Sequence, residues 1–414
     1  MFSMSSSKHS LSLFLVLFVI FLDWFGIGLV YPMFSAMLFH PEQQVLALGA
    51  SYTLRCHYLG ILLAAMPIAE FFSGPFLGSF SDQVGRRPIF LATQFFAALG
   101  YLLSTFAVFW GDIIFLIIAR LITGIAAGNA AVVSATVADL STPESKGKNF
   151  GLYSMACGLG FTAGPFVAGA FCCEVGKFHF PFLLSALAVV LNVILIYFFF
   201  QETNPVSQEA KIRWAEGIKN LYKAFQIKEL KFLFAAMLCF FFGWSFFYEF
   251  IPIVWIRDYQ FDARQIGFAF AFGAAIYALS AGWLIRPFLK RFQKPRLLVF
   301  ALSFIGISSF SVLLHPPIEW IWGYAIVFNF FGALMWPVSN TMVSDLSQEG
   351  AQGETLGIYQ SVQAAAFAFS PLLAGGALAA HPHLPIVIGG VAMTIGALIL
   401  AISFRKAIFG KIKA

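Results

Sequence analysis

Twelve runs of apolar residues, each long enough to cross a bilayer, decide what this chain can become. They cover residues 11–39, 51–80, 88–109, 112–139, 147–172, 181–200, 229–257, 263–286, 295–314, 319–345, 353–380 and 384–404. A hydrocarbon core about 30 Å thick is crossed by about 20 helical residues. Inside it every backbone N–H and C=O must be bonded within the segment, so these runs are read as α-helices. Charged residues make up 11% of the chain and apolar ones 60%, whereas soluble domains carry about 25% charge. A water-soluble globule is excluded, and the expected fold is an all-α integral membrane protein of twelve transmembrane helices. The start mimics a signal peptide, with Lys8 before an apolar stretch. No small-residue cleavage site follows and the run continues past Asp23 to Leu38, so it reads as an uncleaved first span.

An even number of spans puts both termini on one side. Lys8, Arg86, Arg87, Lys146, Lys148, the stretch Lys211 to Lys231, the group Arg286, Lys290, Arg291, Lys294 and Arg296, and the tail Arg405, Lys406, Lys411 and Lys413 all fall on alternate connections. The opposite connections offer Lys177, Arg257 and Arg264, with Arg55 near a span end. The positive-inside rule then makes both termini cytoplasmic, and a bacterial inner membrane is the expected location. The same clustering accounts for the net charge of +6 as topology, with no nucleic-acid partner implied. Cys56, Cys157, Cys172, Cys173 and Cys239 are odd in number and lack metal spacing, so they read as small buried residues. No metal, no cofactor and no catalytic residue is expected, and the protein reads as a monomer rather than an enzyme.

The longest polar connection divides the spans six and six, giving bundles over 1–200 and 229–414 joined by a linker over 201–228. In that linker Trp214, Ile218, Leu221, Tyr222 and Phe225 form a stripe at helical spacing, the pattern of a helix lying on the inner leaflet. The halves repeat one another. Val137-Ala-Asp139-Leu-Ser141 recurs as Val343-Ser-Asp345-Leu-Ser347. At the same offset Gly151, Tyr153, Phe161, Pro165 and Gly169 recur as Gly357, Tyr359, Phe367, Pro371 and Gly375. Two such parallel repeats are expected to share a midplane binding region.

Between spans 2 and 3 stands Gly78-Ser-Phe-Ser-Asp82-Gln-Val-Gly85-Arg86-Arg87. A hairpin needs a turn, and arginines beside a membrane mark its cytoplasmic side. Neither requires the order Gly, Asp, Gly, Arg, Arg. That pattern, at the end of a second span, resembles the signature loop of the major facilitator superfamily. The second half carries an echo in Gly282, Arg286, Lys290 and Arg291, without the acid. Asp82 is read as part of an inner gate with Gly78, Gly85, Arg86 and Arg87. Asp139 is expected to pair with Arg86 or Arg87, and Asp345 with Arg286 or Lys290.

Charges inside spans are costly and therefore the first functional candidates. By the helical rise Asp23 lies ~16 Å from the inner face, Arg120 ~12 Å below the outer one and Glu70 ~15 Å from the inner end. All three are near one depth. Asp23 and Arg120 either pair or act on one another through a proton, and Glu70 is a further proton-coupling candidate. Glu249 sits ~27 Å up span 7, close to the outer interface.

Leu22-Asp23-Trp-Phe-Gly26-Ile27-Gly28-Leu29-Val-Tyr-Pro32 resembles the first span of drug–proton antiporters, tetracycline exporters above all. Arg120-Leu-Ile-Thr-Gly124 is similar to their span-4 motif, and the resemblance implies a role for the arginine in proton transfer. Gly151, Gly160, Gly164-Pro165 and Ala168-Gly169 resemble the span-5 antiporter motif, with Ala168 replacing one glycine. The second half has Ala366 and Ser370 in place of Gly160 and Gly164. Glu70 stands where the resemblance implies a neutral amide. Cavity candidates are Tyr31, Asn129, Trp244, Tyr248, Glu249, Asn329, Trp336, Asn340, Gln360 and Gln363.

The resemblance implies a proton-coupled exporter of a small amphipathic compound, driven by the proton gradient through alternating access. Its partners would be the compound, protons and the bilayer. A proton-coupled importer or facilitator on the same fold is the alternative, and a non-transporting membrane receptor or enzyme a more distant one.

Overall fold

The computed structural model describes residues 6–39, 46, 49–142, 145–171, 178–203, 216–228, 230–347 and 352–405. Cys172, Cys173, Lys177, Lys211, Trp214, Lys406, Lys411 and Lys413 lie outside these residues. Among the described residues twelve helical stretches are long and apolar enough to cross a membrane. Two compact units are formed. The first comprises Met1–Ala50, Ile61–Glu216 and Asp262–Ala271; the second comprises Ser51–Gly60, Gly217–Phe261 and Phe272–Ala414.

The first six spans are α1 (Ser6–Phe39), α2 (Tyr52–Val84), α3 (Arg86–Trp110), α4 with α5 (Ile113–Ala127 and Ala130–Asp139), α6 (Lys146–Phe171) and α7 (His179–Phe199). Span 4 is held as one rod with a local tightening: the Asn129 N–H donates to the Ala126 carbonyl three residues back, at 3.1 Å. Asp112 starts this span by accepting the Phe115 N–H at 3.0 Å, satisfying a donor that the first helical turn leaves open.

In the first unit α1 packs on α6 and α7, and α3 on α4 and α7. The α1–α6 contact is made by backbone. A Cβ on Gly28 would lie 2.8 Å from the Phe161 carbonyl and 2.9 Å from Pro165 Cδ. One on Gly164 would meet the Phe25 carbonyl and lie 2.7 Å from the Leu29 nitrogen, and one on Gly160 would meet the Phe21 carbonyl. Membrane helices gain no hydrophobic drive from each other, so close approach through glycine is a main source of cohesion.

A short helix, α8 (Glu216–Ala224), precedes the second six spans. Its Ile218 and Tyr222 are exposed, as is Phe225 just beyond it, while Asn220 donates to Ser361 Oγ at 3.1 Å. The spans that follow are α9 with α10 (Lys231–Tyr248 and Ile251–Tyr259), α11 (Ala263–Leu279), α13 (Lys294–Ser309), α14 (Glu319–Leu346), α15 (Gln352–Ala380) and α16 (Leu384–Ser403). Span 7 is interrupted at Glu249–Phe250 because Pro252 has no N–H to return to residue 248. Span 8 closes in a π-helical turn, Ser280–Leu284, where the Ile285 N–H reaches the Ser280 carbonyl five residues back, and then continues as exposed α12 (Arg286–Arg291). Span 9 ends in a 3-10 turn, Phe310–Leu314. In this unit α9 packs on α15 and α16, and α13 on α14 and α16.

The glycine contact makes a paired prediction. Gly164→Ala forces α1 and α6 apart and lowers the apparent melting temperature in detergent, at an overpacking cost of about 1–3 kcal/mol. Gly158→Ala, which meets nothing within 4 Å, leaves the melting temperature unchanged. Equal melting of both variants would refute the backbone contact.

Candidate functional site

Asp23 lies midway along α1, one turn before Gly26. A Cβ on Gly26 would run into the Tyr101 hydroxyl, so this glycine is what admits the tyrosine of α3 to the face of α1. Asp23 is half-buried, and one of its carboxylate oxygens is enclosed without a hydrogen-bond partner. Glu70, Asn129, Tyr101, Tyr153 and Cys157 all lie within electrostatic reach of it. Asn129 comes from the tightened turn of span 4 and is fully buried, with neither carboxamide atom bonded. That turn sits directly on α2: a Cβ on Gly128 would lie 2.8 Å from the Gly74 nitrogen, one turn from Glu70. Three spans therefore bring two carboxylates and a carboxamide to one interior region.

Arg120 is 1% exposed, yet no carboxylate among the described residues pairs with it. One guanidinium nitrogen contacts the Met66 sulfur at 2.8 Å, and the cation lies 5.8 Å from the Phe34 ring centroid. Tyr101 and Tyr31 are its polar neighbours. Of the two arrangements open to Asp23 and Arg120, a direct ion pair is not formed. Tyr101 is instead within reach of both. Depth along separate helices carried no information on the direction each side chain faces.

The signature loop builds a second polar centre. Gly85 has φ +97°, a conformation that favours glycine, and a Cβ there would lie 2.5 Å from the Glu202 carboxylate. Glu202 accepts the N–H of Arg86 at 2.8 Å and of Arg87 at 2.9 Å, which caps the start of α3 from the far end of the unit's chain. The Arg86 side chain is buried and bonds Asp82 at 2.7 Å, Asp139 at 3.1 Å and Ser81. Arg87 turns away and donates to the Tyr197 carbonyl. Gly78 brings α2 against Ala131. Asp345 pairs with Lys294, not with Arg286 or Lys290. The π turn and the exposed α12 send those two groups to solvent, whereas Lys294 opens α13 beside the end of α14.

Of the span-5 motif, Gly160, Gly164 and Pro165 form the α1 contact, and Gly169 meets Gly267. Gly151 has nothing within 4 Å. Phe161 of the same helix lies edge-on to Trp24 and Tyr31, at 6.0 and 6.1 Å.

The second unit gathers the aromatic candidates. Trp244 stacks on Tyr248 at 5.1 Å and on Phe328 at 4.9 Å, and meets Trp336 edge-on at 5.4 Å. Glu249, at the interruption of span 7, is buried; one oxygen accepts from Ser245 Oγ at 2.8 Å and the other is unpartnered. Asn329 and Asn340 donate to carbonyls of their own helix, Ala325 and Trp336, and Gln360 is exposed with Gln363 half-buried. Tyr101, Met66, Phe34 and Glu202 were not candidates from sequence; each acts across long chain separations that leave no local pattern. At one end of this unit, donor atoms of Asp258, His315 and His383 lie within 4.8 Å of one another.

Twelve apolar helices with ionisable side chains held inside them define a multi-pass membrane transport protein. The chain belongs to the Major Facilitator Superfamily, whose family model matches residues 13–371 and 287–409. It is 28% identical over 407 residues to the class C tetracycline resistance protein of Escherichia coli, covering 94% of each chain. Over 399 residues it is 26% identical to the quinolone resistance protein NorA of Staphylococcus aureus, covering 90% of this chain and 92% of that one. Among solved structures, a D-xylose–proton symporter superposes with a TM-score of 0.74 at 17% identity, over 94% of this chain and 97% of the other. The human organic anion transporter MFSD10 gives 0.69 at 19% identity, over 95% and 99%. These two likenesses establish the fold.

Glu202→Ala removes the acceptor for two amides at the start of α3. It is expected to speed hydrogen exchange at Arg86 and Arg87 about fivefold, the loss of about 1 kcal/mol of hydrogen bonding. Unchanged exchange would show that the cap is not formed.

Proposed function

We propose that this protein exports a small amphipathic, aromatic-bearing compound across a bacterial inner membrane in exchange for protons. The observation that carries the reading is the pair Asp23 and Glu70, held in one interior region without a cationic partner among the described residues. The helix bearing Asp23 is fixed by the glycine row that resembles an antiporter motif. The relatives named for tetracycline and quinolone resistance support export of a drug-like compound.

Proton entry neutralises a carboxylate of the pair, and release restores it on the other side. Such a change shifts the inward–outward equilibrium only through a difference in proton affinity between the two states. Arg120 supplies a fixed positive charge behind Tyr101, and Tyr101 carries its influence to Asp23. Arg86 holds Asp82 and Asp139 together and sets the geometry of the inner loop. Trp244, Tyr248 and Trp336 offer ring faces to the compound, with the Glu249 carboxylate beside them. Both termini and α8 are assigned to the cytoplasmic side, with Ile218, Tyr222 and Phe225 of the linker laid on the inner leaflet. The protein acts as a monomer of two six-span bundles, over 1–200 and 229–414, and draws its energy from the proton gradient without a cofactor.

Asp23→Asn is expected to abolish proton-driven accumulation of a fluorescent drug panel in inverted vesicles, while the purified variant elutes as the parent does. An ionophore should erase the parent's signal to the same level. Full pH-driven flux in the variant would remove Asp23 from the mechanism. Accumulation in right-side-out vesicles instead would reverse the direction of transport.

A further inference from the structure

Three residues far apart in the chain meet at one end of the second unit. Asp258 is in the last turn of α10, His315 follows the 3-10 turn of span 9, and His383 precedes α16. By the alternation of spans, this end is opposite the basic connections, on the side assigned above as extracytoplasmic. His383 Nε2 lies 2.8 Å from Asp258 Oδ2, and His315 Nδ1 lies 3.6 Å from the same oxygen. His315 adopts a left-handed backbone, φ 45° and ψ 56°, which a residue with a Cβ enters at a cost. That conformation delivers its ring to the carboxylate. Next to the cluster the Tyr259 hydroxyl donates to the Pro316 carbonyl at 2.7 Å, fastening the 9–10 connection to α10.

We propose that Asp258, His315 and His383 form a binding site for a divalent transition-metal ion of the zinc class. Two imidazoles and one carboxylate are a donor set that zinc accepts, while magnesium and calcium prefer all-oxygen surroundings. Donors each about 2.0–2.1 Å from a tetrahedral zinc are about 3.3 Å from one another. The two Asp258–histidine separations, 2.8 and 3.6 Å, bracket that value and all three donors lie within 4.8 Å of one another, so the ion enters with side-chain shifts and no movement of the helices. The side chains of Asp258 and His383 are 15% and 14% exposed, and that of His315 is 59% exposed. The site thus has two sheltered ligands and an open approach, with room for water in the fourth position. Arg257 is the cation facing it, 3.9 Å from the other Asp258 oxygen with its own side chain half in solvent. His381 accepts the backbone N–H of His383 through Nδ1 at 3.3 Å and holds that ligand's position without joining the set. Once bound, the ion links the ends of spans 7, 9 and 12 and stabilises the second unit by mass action.

The test uses the full-length protein in detergent, stripped with chelator, re-exposed to zinc and desalted. The parent should retain one zinc per chain by elemental analysis, bind cobalt with the visible bands of a low-coordinate site, and melt at a higher temperature with zinc than without. Asp258→Asn, His383→Gln and His315→Ala should each lose the retained metal and the zinc-induced shift. His57→Ala, an exposed histidine elsewhere in the unit, should keep both. His315→Ala guards against misfolding, because its ring is on an exposed connection and its metal-free melting should match the parent's. No retained zinc in the parent, or equal retention in His315→Ala, overturns the site. Melting that depends on pH but not on zinc also overturns it, leaving a simple His–Asp contact.

Discussion

The close approach of α1 to α6 is the contact on which the first unit depends. In a bilayer the lipid tails are as apolar as the side chains, so helix pairs hold by fit more than by expulsion of water. Gly160 and Gly164 from one side and Gly28 from the other leave out the Cβ atoms that would collide at the crossing and place carbonyls of one helix against the other. That contact fixes α1 in rotation as well as position. Asp23 is then turned toward Glu70 and Asn129, and Trp24 and Tyr31 are turned toward Phe161. In the second unit the corresponding pair, α9 and α15, is joined by side chains. Tyr359 meets Phe234 and Phe241, Phe367 meets Phe241, and Ala366 and Ser370 occupy the places of the two glycines. The duplicated frame has thus been kept while the means of holding it has changed.

A similar economy governs the loop between α2 and α3. A buried guanidinium is costly when its donors are unmatched, and Arg86 spends its side chain on Asp82, Asp139 and Ser81. Its backbone N–H and that of Arg87 go to Glu202, which is brought back by the end of α7. The missing Cβ of Gly85 is what leaves room for that carboxylate. The motif's glycine and arginine are therefore parts of one hydrogen-bonded junction tying spans 2, 3, 4 and 6 within the unit. Arg120 is the contrasting case, a buried cation surrounded by sulfur and aromatic faces, which offer electrostatic attraction without a counter-charge.

Much of this was legible in the sequence because the bilayer reduces folding to length, polarity and alternation. The twelve spans follow from apolar runs, and the glycine row of span 5 announces close packing by spacing alone. Helical rise placed Asp23, Glu70 and Arg120 at one depth, but rise says nothing of azimuth, and Arg120 faces Met66 and Phe34 instead of Asp23. The pairing of Asp345 with Lys294 was hidden for another reason. An echo aligned by constant offset assumes unbroken α-helix, and the π turn at Ser280–Leu284 adds a residue to the turn and changes the facing of all that follows. Glu202 and the Asp258–His315–His383 group were invisible because their members meet only through the tertiary fold.

The two units have diverged toward different chemistry. The first brings Asp23, Glu70, Asn129, Tyr101 and Tyr153 to one interior region. The interior of the second is dominated by Phe240, Phe241, Trp244, Phe328 and Trp336, with Glu249 a buried acid tied to Ser245 by one oxygen. Aromatic rings bind flat apolar compounds through area and cations through their faces, and neither requires fixed donor geometry. As the substrate surface proposed above, such a set would accept a range of compounds at modest selectivity, since displacement of rings costs less than breaking directed hydrogen bonds. The proton coupling proposed for the first unit demands the opposite, a few groups held in fixed relation, and the backbone contact of α1 with α6 holds Asp23 in such a relation.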